Sequence, residues 1–451
     1  MKNANARARA RAARASLALA GLASLALAAS LAACQGDGKT TVRFWAMGSE
    51  AEVVAELIEG FERAHPELRV DVQQVPWMAA HEKLLTAFVG EATPDLAQLG
   101  NTWVPEFATL GALAPLDDAV AASATTSSAV PPSDYFAGIW ATNEVLGRLH
   151  GVPWYVDTRL LFYRRDLLAA ATGTADVPET WPAWLAALRA IKAAGGPERY
   201  AILLPLDEFE QLLALALSQD EPLLREDGRW GNFRSAGFRS ALSFYLRLFA
   251  DRLAPLVIQT QASNPWHELG RGYVAFMISG PWSIGQMKRR LPAAQQDSWG
   301  TAPLPGPTGP GTGAAGGSSL VVFRGAAHPR EAWQLVEYLS QPAQQKRFYE
   351  LTGNLPPRRT TWDDPVLASD AHVRAFRLQL ERVKRTPPVP EWERIATEMR
   401  VVSERAARRV GPAMTEAELA TIALEAATEL DARVDAILEK RRWILARREA
   451  R

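Results

Sequence analysis

The alternation of apolar and polar residues after residue 40 predicts a β-α-β unit. Residues 41–45 and 68–72 each alternate with period two, which is typical of half-buried strands. Between them, apolar residues recur at helical spacing over 49–64, and Ser49 with Glu52 matches a capping box. Because parallel strands need a crossover helix between them, this opening predicts an α/β fold.

Similar patterns continue to the end of the chain. Further strands are predicted over residues 94–99, 160–163, 273–278 and 320–323. Further helices are predicted over residues 81–89, 329–339 and 342–352, after caps at Thr180 and Ser235, and from a second capping box at Thr415 and Glu418. The chain has 451 residues, which is long for one hydrophobic core, so we expect two lobes or domains.

The first 33 residues differ in kind from the rest. Five basic residues and no acidic residue lie there, and an uncharged run rich in Leu and Ala covers 16–33, as in a secretory signal. Residues 31–34, Leu-Ala-Ala-Cys, resemble the lipobox of bacterial lipoproteins, in which the signal is cut before a cysteine whose thiol is lipidated. We expect a signal peptide over 1–33 and a lipid-anchored tether over 34–40, with an uncleaved anchor helix as the alternative.

Cys34 is the only cysteine in the chain, so it has no partner for a disulfide or a metal site. Lipidation explains a lone thiol at this position. We therefore expect an exported protein that is lipid-anchored in the cell envelope, on the periplasmic side or the outer face of the membrane.

Charge and motifs argue against several other classes of function. The chain has 50 basic and 50 acidic residues, and loss of the five basic residues of the leader makes the remainder modestly acidic. Nucleic-acid binding is not expected, since neutralising phosphates needs a basic face. The six histidines form no HExxH motif or Cys/His cluster, so we expect no metal site and no cofactor. Residues 311–316 match GxGxxG but precede a predicted strand, the reverse of the order in dinucleotide-binding folds.

The segment 150–168 combines a strand pattern with groups that a buried strand does not need. Trp154, Tyr155 and Asp157 fall within four residues, and Tyr and Asp require hydrogen-bond partners when they are desolvated. This favours a functional role. A proline turn that leads into a core strand, with the aromatic rings packed beneath it, is the alternative.

The tryptophans indicate a carbohydrate ligand. The chain has 15 of them, and several lie at loop-like sites, most of them beside amide or carboxylate residues: Trp45, Trp77, Trp103, Trp154 and Trp282. The apolar face of a pyranose stacks on a flat aromatic ring, while its hydroxyls pair with carboxylates and amides. As a set, these tryptophans favour sugar binding.

The order of several short motifs resembles the extracellular solute-binding lipoproteins of sugar ABC importers, a family that includes maltose- and trehalose-binding proteins. The motifs are VRFWAMGSE, FERAHPELRVDV, HEKLLTA, TPDLAQLGNTW, GVPWYVDTRLLFYRRDLL, AFMISGPWSI, GGSSLVVF, and AWQLVEYLSQP followed by TGNLPPR. The resemblance covers nearly all of the chain after the leader and is carried by the order and spacing of the motifs together.

This resemblance implies a two-lobed, periplasmic-binding-protein-like (type II) α/β fold with crossing hinge strands. Lobe 1 would comprise 41–156 and 301–348, and lobe 2 would comprise 157–300 and 349–451, with the ligand in the cleft between them. The predicted ligand-binding residues are Trp45, from the aromatic pattern, and, from the resemblance, Glu50, Asn101, Trp103, Tyr155, Asp157, Trp282, Gly317, Ser318 and Arg358.

The implied function is capture of a mono- or oligosaccharide by closure of the lobes, without catalysis, followed by delivery to a membrane permease. The implied partners are the sugar and the ABC permease subunits, which would be separate chains, and we expect a monomer. Two alternatives stay open: a lipid-anchored glycoside hydrolase that uses two carboxylates in an aromatic cleft, and a solute-binding protein for a non-sugar ligand such as a polyamine or a metal chelate.

Overall fold

The computed structural model describes residues 39–126, 128–259, 261 and 264–449. The predicted signal peptide, the lipidation site Cys34 and most of the predicted tether lie outside these residues. Within the described ranges, no helix is both long enough and apolar enough to cross a membrane.

Strands and helices alternate along most of the chain. The strands are β1 Thr40–Met47, β2 Leu68–Val75, β3 Leu96–Gly100, β4 Glu144–Val145, β5 Arg148–Leu149, β6 Val152–Asp157, β7 Leu160–Arg164, β8 Tyr200–Leu203, β9 Leu224–Arg225, β10 Trp230–Gly231, β11 Val274–Ser279, β12 Trp299–Ala302, β13 Gly313–Ala314, β14 Gly316–Val322 and β15 Val383–Lys384. The helices are α1 Glu50–Ala64, α2 Trp77–Val89, α3 Val104–Thr109, α4 Asp117–Ser123, α5 Ala137–Trp140, α6 Arg165–Thr172, α7 Trp181–Gly195, α8 Glu210–Leu217, α9 Ala236–Ala250, α10 Pro265–Gly270, α11 Trp282–Arg290, α12 Pro329–Leu339, α13 Pro342–Thr352, α14 Pro365–Ala368, α15 Ala371–Leu380, α16 Trp392–Ala407 and α17 Glu416–Glu449.

The first sheet has five strands in the order β2-β1-β3-β14-β6. β1 pairs in parallel with β2 and β3, as the β-α-β pattern predicts. β14 comes from much later in the chain, yet it lies between β3 and β6 and runs antiparallel to both. Val54, Leu57 and Phe61 of α1 are buried in the core of this lobe. The first lobe is therefore assembled from two distant segments.

The second sheet has the order β12-β7-β11-β8. β7 runs antiparallel to β12 and β11, and β11 is parallel to β8. Trp184 of α7, Leu242 of α9 and Leu430 of α17 are buried together in the core of this lobe. The final helix also belongs to this lobe, since α17 lies against α9 and α16.

The chain passes from the first sheet to the second through only Thr158 and Arg159, which join β6 to β7. It returns between β12 and β14, and it leaves the first lobe again after α13, which packs on α1. The boundaries predicted at 156/157, 300/301 and 348/349 fall inside β6, β12 and α13, a few residues before these connections. These boundaries are inferred from the family resemblance, which does not fix the residue at which the chain leaves one lobe for the other.

Local capping signals differ in outcome along the chain. The side chains of Thr180 and Ser235 each accept a hydrogen bond from the backbone N–H three residues later, as predicted. The capping box predicted at Ser49 is wrong, because Ser49 makes no side-chain cap bond. Glu52, its expected partner, accepts instead from Gln74 Nε2 at 3.0 Å on the neighbouring strand.

Candidate functional site

A cavity of about 560 Å³ lies between the two lobes, next to the first crossing. Its volume falls within the range of small-molecule sites, about 300–1,000 Å³. We call this cavity the cleft. Eight of the ten predicted ligand-binding residues line it, namely Glu50, Asn101, Trp103, Tyr155, Asp157, Trp282, Gly317 and Ser318.

A hydrogen-bonded network around Tyr155 forms the first-lobe wall of the cleft. Tyr155 Oη donates to Glu50 Oε1 at 3.2 Å and accepts from Ser318 Oγ at 3.1 Å and Gln98 Nε2 at 3.3 Å. Burial, together with the charge of Glu50, raises the pKa of Tyr155 well above its usual value of 10. The phenol therefore stays protonated and holds the Glu50 carboxylate at the start of α1.

The two carboxylate oxygens of Glu50 are not equally occupied. Oε1 accepts from Tyr155 and also from Asn354 Nδ2 at 3.2 Å. Among the described residues, Oε2 has only a long side-chain contact from Ser49 Oγ, at 3.5 Å. Glu50 thus keeps acceptor capacity on the oxygen that its protein neighbours use least.

A guanidinium lies between two carboxylates where the chain crosses to the second lobe. Arg159 Nη2 donates to Glu210 Oε1 at 3.0 Å, and Arg159 Nη1 lies 3.8 Å from Asp157 Oδ1. Burial raises the pKa of Asp157, while the positive charge of Arg159 opposes that rise. The side of the cleft at the crossing therefore offers both a hydrogen-bond acceptor, Asp157, and a donor, Arg159.

Aromatic rings come from both lobes. Trp77 and Trp103 of the first lobe meet edge to face, with ring centroids 5.7 Å apart. Trp282 of the second lobe begins α11 and is 38% exposed. A Cβ atom at Gly280 would come within 2.0 Å of the Trp282 ring, so the glycine of the Gly-Pro-Trp sequence is required for this placement.

Two successive glycines allow β14 to approach β6 where both strands reach the cleft. A Cβ atom at Gly316 would lie 2.1 Å from the Asp157 carbonyl oxygen, and one at Gly317 would lie 2.2 Å from that of Tyr155. Gly317 also has φ +127°, a conformation that residues with a side chain rarely adopt. Asn101 reinforces this region, because its backbone N–H donates to the Gly317 carbonyl oxygen at 3.0 Å and its Nδ2 donates to that of Ala315 at 2.8 Å.

Two predicted ligand-binding residues lie outside the cleft. Trp45 is partly buried on β1, where Lys83 Nζ lies 4.5 Å from its ring centroid. Arg358 is buried in an ion pair, with Nε donating to Asp134 Oδ2 at 2.6 Å and Nη1 donating to the Ser340 carbonyl oxygen at 3.1 Å. Both side chains are engaged in packing within the fold, so the structure does not place them with the other predicted residues.

The cleft also contains residues that were not among the ten predicted ligand-binding residues. They are Trp77, Arg159, Phe209, Glu210, Leu213, Asn354, Trp392 and Glu393, among others. Arg159 follows Asp157 by two residues within the segment 150–168. This position could have indicated that Arg159 also lines the cleft. Phe209 and Glu210 precede and begin α8, and no local pattern distinguishes them from the start of any other buried helix.

Metal ligands do not cluster in the structure as described. No group of three or more His, Cys, Asp or Glu side chains that could hold a metal ion occurs among these residues.

The fold and the sequence are similar to those of known solute-binding proteins. The sequence model of the bacterial extracellular solute-binding protein family matches residues 48–346. The structure of the sugar-binding protein MalE from the phytopathogen Xanthomonas citri has a TM-score of 0.85 and 55% sequence identity, over 90% of this chain and 99% of that chain. This likeness confirms the predicted two-lobed, periplasmic-binding-protein-like fold.

More distant relatives share most of the same length. The diacetylchitobiose binding protein DasA of Streptomyces coelicolor is 25% identical over 80% of this chain and 86% of its own length. A lipoprotein from the oleD 5′ region of Streptomyces antibioticus is 27% identical over 80% of this chain and 82% of its own length. Because the family model matches residues 48–346, which is more than half of this chain, the chain belongs to the bacterial extracellular solute-binding proteins.

Proposed function

We propose that this protein captures a saccharide between its two lobes and delivers it to the permease of an ABC importer. The observation that carries the proposal is a cavity that both lobes line and that combines aromatic rings with carboxylates. The 55% identity to a protein described as sugar-binding supports the same role.

The aromatic groups suit the apolar face of a sugar ring. Trp282 approaches from the second lobe, and Trp77 and Trp103 approach from the first. A pyranose held between them would cover exposed ring surface on both sides, which favours binding by burial of apolar area.

The polar groups suit hydroxyls. Asp157 and Glu50 Oε2 would accept hydrogen bonds, and Arg159 would donate them. Such donors and acceptors orient a sugar and discriminate between its stereoisomers.

Binding would act through closure of the lobes. A sugar that touches both lobes has greater affinity for the closed arrangement than for the open one, so it shifts the equilibrium toward closure. The closed pair of lobes would then present a surface that the permease subunits recognise. We infer a monomer that needs no cofactor and is held at the cell envelope by a lipid on Cys34.

We infer binding without turnover. Glycoside hydrolysis needs a proton-donating carboxyl group and a second carboxylate on either side of the scissile bond. In the cleft, Glu50 already accepts from Tyr155 and Asn354. Glu50 is thus held as a hydrogen-bond acceptor, whereas hydrolysis needs a carboxyl group that donates a proton.

A cationic solute is the second candidate because of the charge of the cleft. Among the residues that the structure describes, four carboxylate residues line it against a single arginine, namely Glu50, Asp157, Glu210 and Glu393 against Arg159. A polyamine would be attracted by this excess of negative charge, and its ammonium groups could also contact the exposed face of Trp282.

Isothermal titration and tryptophan fluorescence of the protein without its leader would test the proposal against glucose, maltose, trehalose, diacetylchitobiose and putrescine, with product analysis of the same samples. We expect saturable binding of an intact sugar with a Kd on the order of 1 μM or lower. Binding of putrescine alone would favour the cationic solute, and release of shorter sugars would show a hydrolase.

A further inference from the structure

Arg159 occupies one of the two positions that join the lobes at the first crossing. It follows Thr158 between β6 and β7, and its side chain is 19% exposed. The guanidinium carbon lies 4.5 Å from the centroid of the Trp282 ring. Part of the indole surface that would stack on a sugar is therefore already covered by a residue of the protein.

The guanidinium is held in place on one side only. Nη2 donates to Glu210 Oε1 at 3.0 Å, whereas Nη1 lies 3.8 Å from Asp157 Oδ1, beyond hydrogen-bond distance. Nη1 is also buried. Nη2 is therefore fixed to the second lobe, whereas Nη1 has no hydrogen-bond partner among the described residues.

A second cavity, of about 870 Å³, adjoins the cleft at this side chain. The wall that both cavities share is formed by Arg159, Phe209, Glu210 and Trp282. The second cavity continues over the second lobe to Trp266, and Met78 of the first lobe lines its other side.

The lining of this second cavity repeats the chemistry of the cleft. It combines the indole of Trp266 with polar groups of Asp207, Gln259, Thr397 and Arg400. A saccharide that extended past the shared wall would again meet an aromatic ring together with hydrogen-bond donors and acceptors.

We propose that Arg159 sets the length of the saccharide that the protein binds. Stacked on Trp282 and bonded to Glu210, it closes the cleft toward the second cavity and restricts binding to short sugars. This inference rests on the proposed function, because it assumes that the ligand is a saccharide.

The length limit follows from what each ligand must displace. A short sugar leaves the Arg159 stack and the Glu210 hydrogen bond intact. A longer sugar must move a buried guanidinium off the indole and separate it from a carboxylate, which costs binding free energy that its extra units have to recover.

Isothermal titration of the purified protein with glucose, maltose, maltotriose and maltotetraose tests this inference, since the oligomers in this series differ in length alone. We expect the wild-type protein to bind maltose at least about tenfold more tightly than maltotetraose. In Arg159→Ala, the wall opens and we expect this preference to disappear or reverse.

Arg271→Ala is the matched control. Arg271 also packs its guanidinium 4.5 Å from an aromatic centroid, that of Tyr273, and pairs with Glu268 at 2.9 Å, but it lines neither cavity. The Arg271→Ala variant should show the same preference for short sugars as the wild type. Arg159→Lys keeps the charge without the planar fork, so it should weaken the preference even if Arg159→Ala fails to fold.

Three outcomes would overturn the inference. Equal affinity of the wild type for maltose and maltotetraose removes the length limit itself. An unchanged preference in a folded Arg159 variant, judged by its melting temperature, assigns the limit to other residues. If the wild type binds putrescine but no member of this series, no trehalose and no diacetylchitobiose, the proposed sugar function is contradicted and this inference is lost with it.

Discussion

Trp282 differs from other tryptophans near the cleft in how much of its ring remains accessible. It is 38% exposed, whereas Trp154 and Trp392 are each 1% exposed. A partly exposed ring on the wall of a cavity can still gain stability when a ligand covers it. A fully buried ring has already contributed its area to the core.

Replacing Trp282 with alanine should therefore weaken sugar binding while leaving the fold intact. We expect a loss of about 2 kcal/mol or more in binding free energy, as for a central aromatic contact. Titration calorimetry of Trp282→Ala measures this loss of binding free energy. Trp443→Ala is the control, because Trp443 is also exposed, at 55%, and does not line the cleft. Wild-type affinity in Trp282→Ala would contradict the stacking role.

Asp157 tests the polar side of the same cleft. Asp157→Asn keeps the shape of the side chain but removes a charged acceptor, so binding should weaken by about 1.5–3 kcal/mol. Asp71→Asn, at an exposed position on β2, is the control. If the two variants bind the sugar equally well in the same titration, the acceptor lies elsewhere in the cleft.

At the scale of elements, similar cap residues have different structural roles. Thr180 caps α7 through a side-chain hydrogen bond, and Ser49, at the start of α1, makes none. Thr180→Ala should lower the free energy of unfolding by about 1 kcal/mol. Ser49→Ala should change it by much less, and denaturant titration of the two variants compares them directly. Equal losses would show that Ser49 caps its helix after all.

A histidine links the two helices that flank Trp103. His81 of α2 pairs with Glu106 of α3, with Nε2 2.7 Å from Oε2, and this hydrogen bond raises the pKa of His81. Burial opposes the rise, and the negative charges of Glu106, Glu393 and Glu82 add to it. A raised pKa in the folded state means that the pair stabilises the fold below the unfolded pKa of about 6.5 and that this stabilisation is lost as the pH rises through the folded pKa.

The corresponding prediction concerns how the melting temperature changes with pH. In His81→Gln, the fall in Tm between about pH 6 and pH 9 should be smaller than in the wild type, because the titrating group is gone. His267→Gln is the control, since that ring is 68% exposed. Identical pH profiles for His81→Gln and the wild type would show that the pair contributes nothing to stability.

Elements with local signals could be predicted from the sequence, and contacts between distant segments could not. The bounds of α12 and α13 match the prediction because proline at the start, and for α13 Gly353 at the end, determine them locally. Most cleft residues that were predicted follow strands or Gly-rich turns. The wall formed by Arg159, Glu210 and Trp282 joins three segments far apart in sequence, and no local pattern indicates that they meet.

At the scale of the whole molecule, a cleft between two separate sheets predicts a change of shape on binding. The first crossing consists of only Thr158 and Arg159, so the lobes should move as rigid bodies about it. Small-angle scattering should give a smaller radius of gyration with saturating sugar than without it. The same measurement on Trp282→Ala at the same sugar concentration should show less compaction. An unchanged radius in the wild type would contradict closure.

The position of β14 also determines the order in which the lobes can fold. β14 completes the first sheet between β3 and β6, although all four strands of the second sheet are synthesised before it. An emerging chain therefore cannot finish its N-terminal lobe first, and pairing over such long sequence separations is slow. For a protein that is exported, this delay is useful, because a chain still lacking β14 remains in a state that a translocation channel can thread.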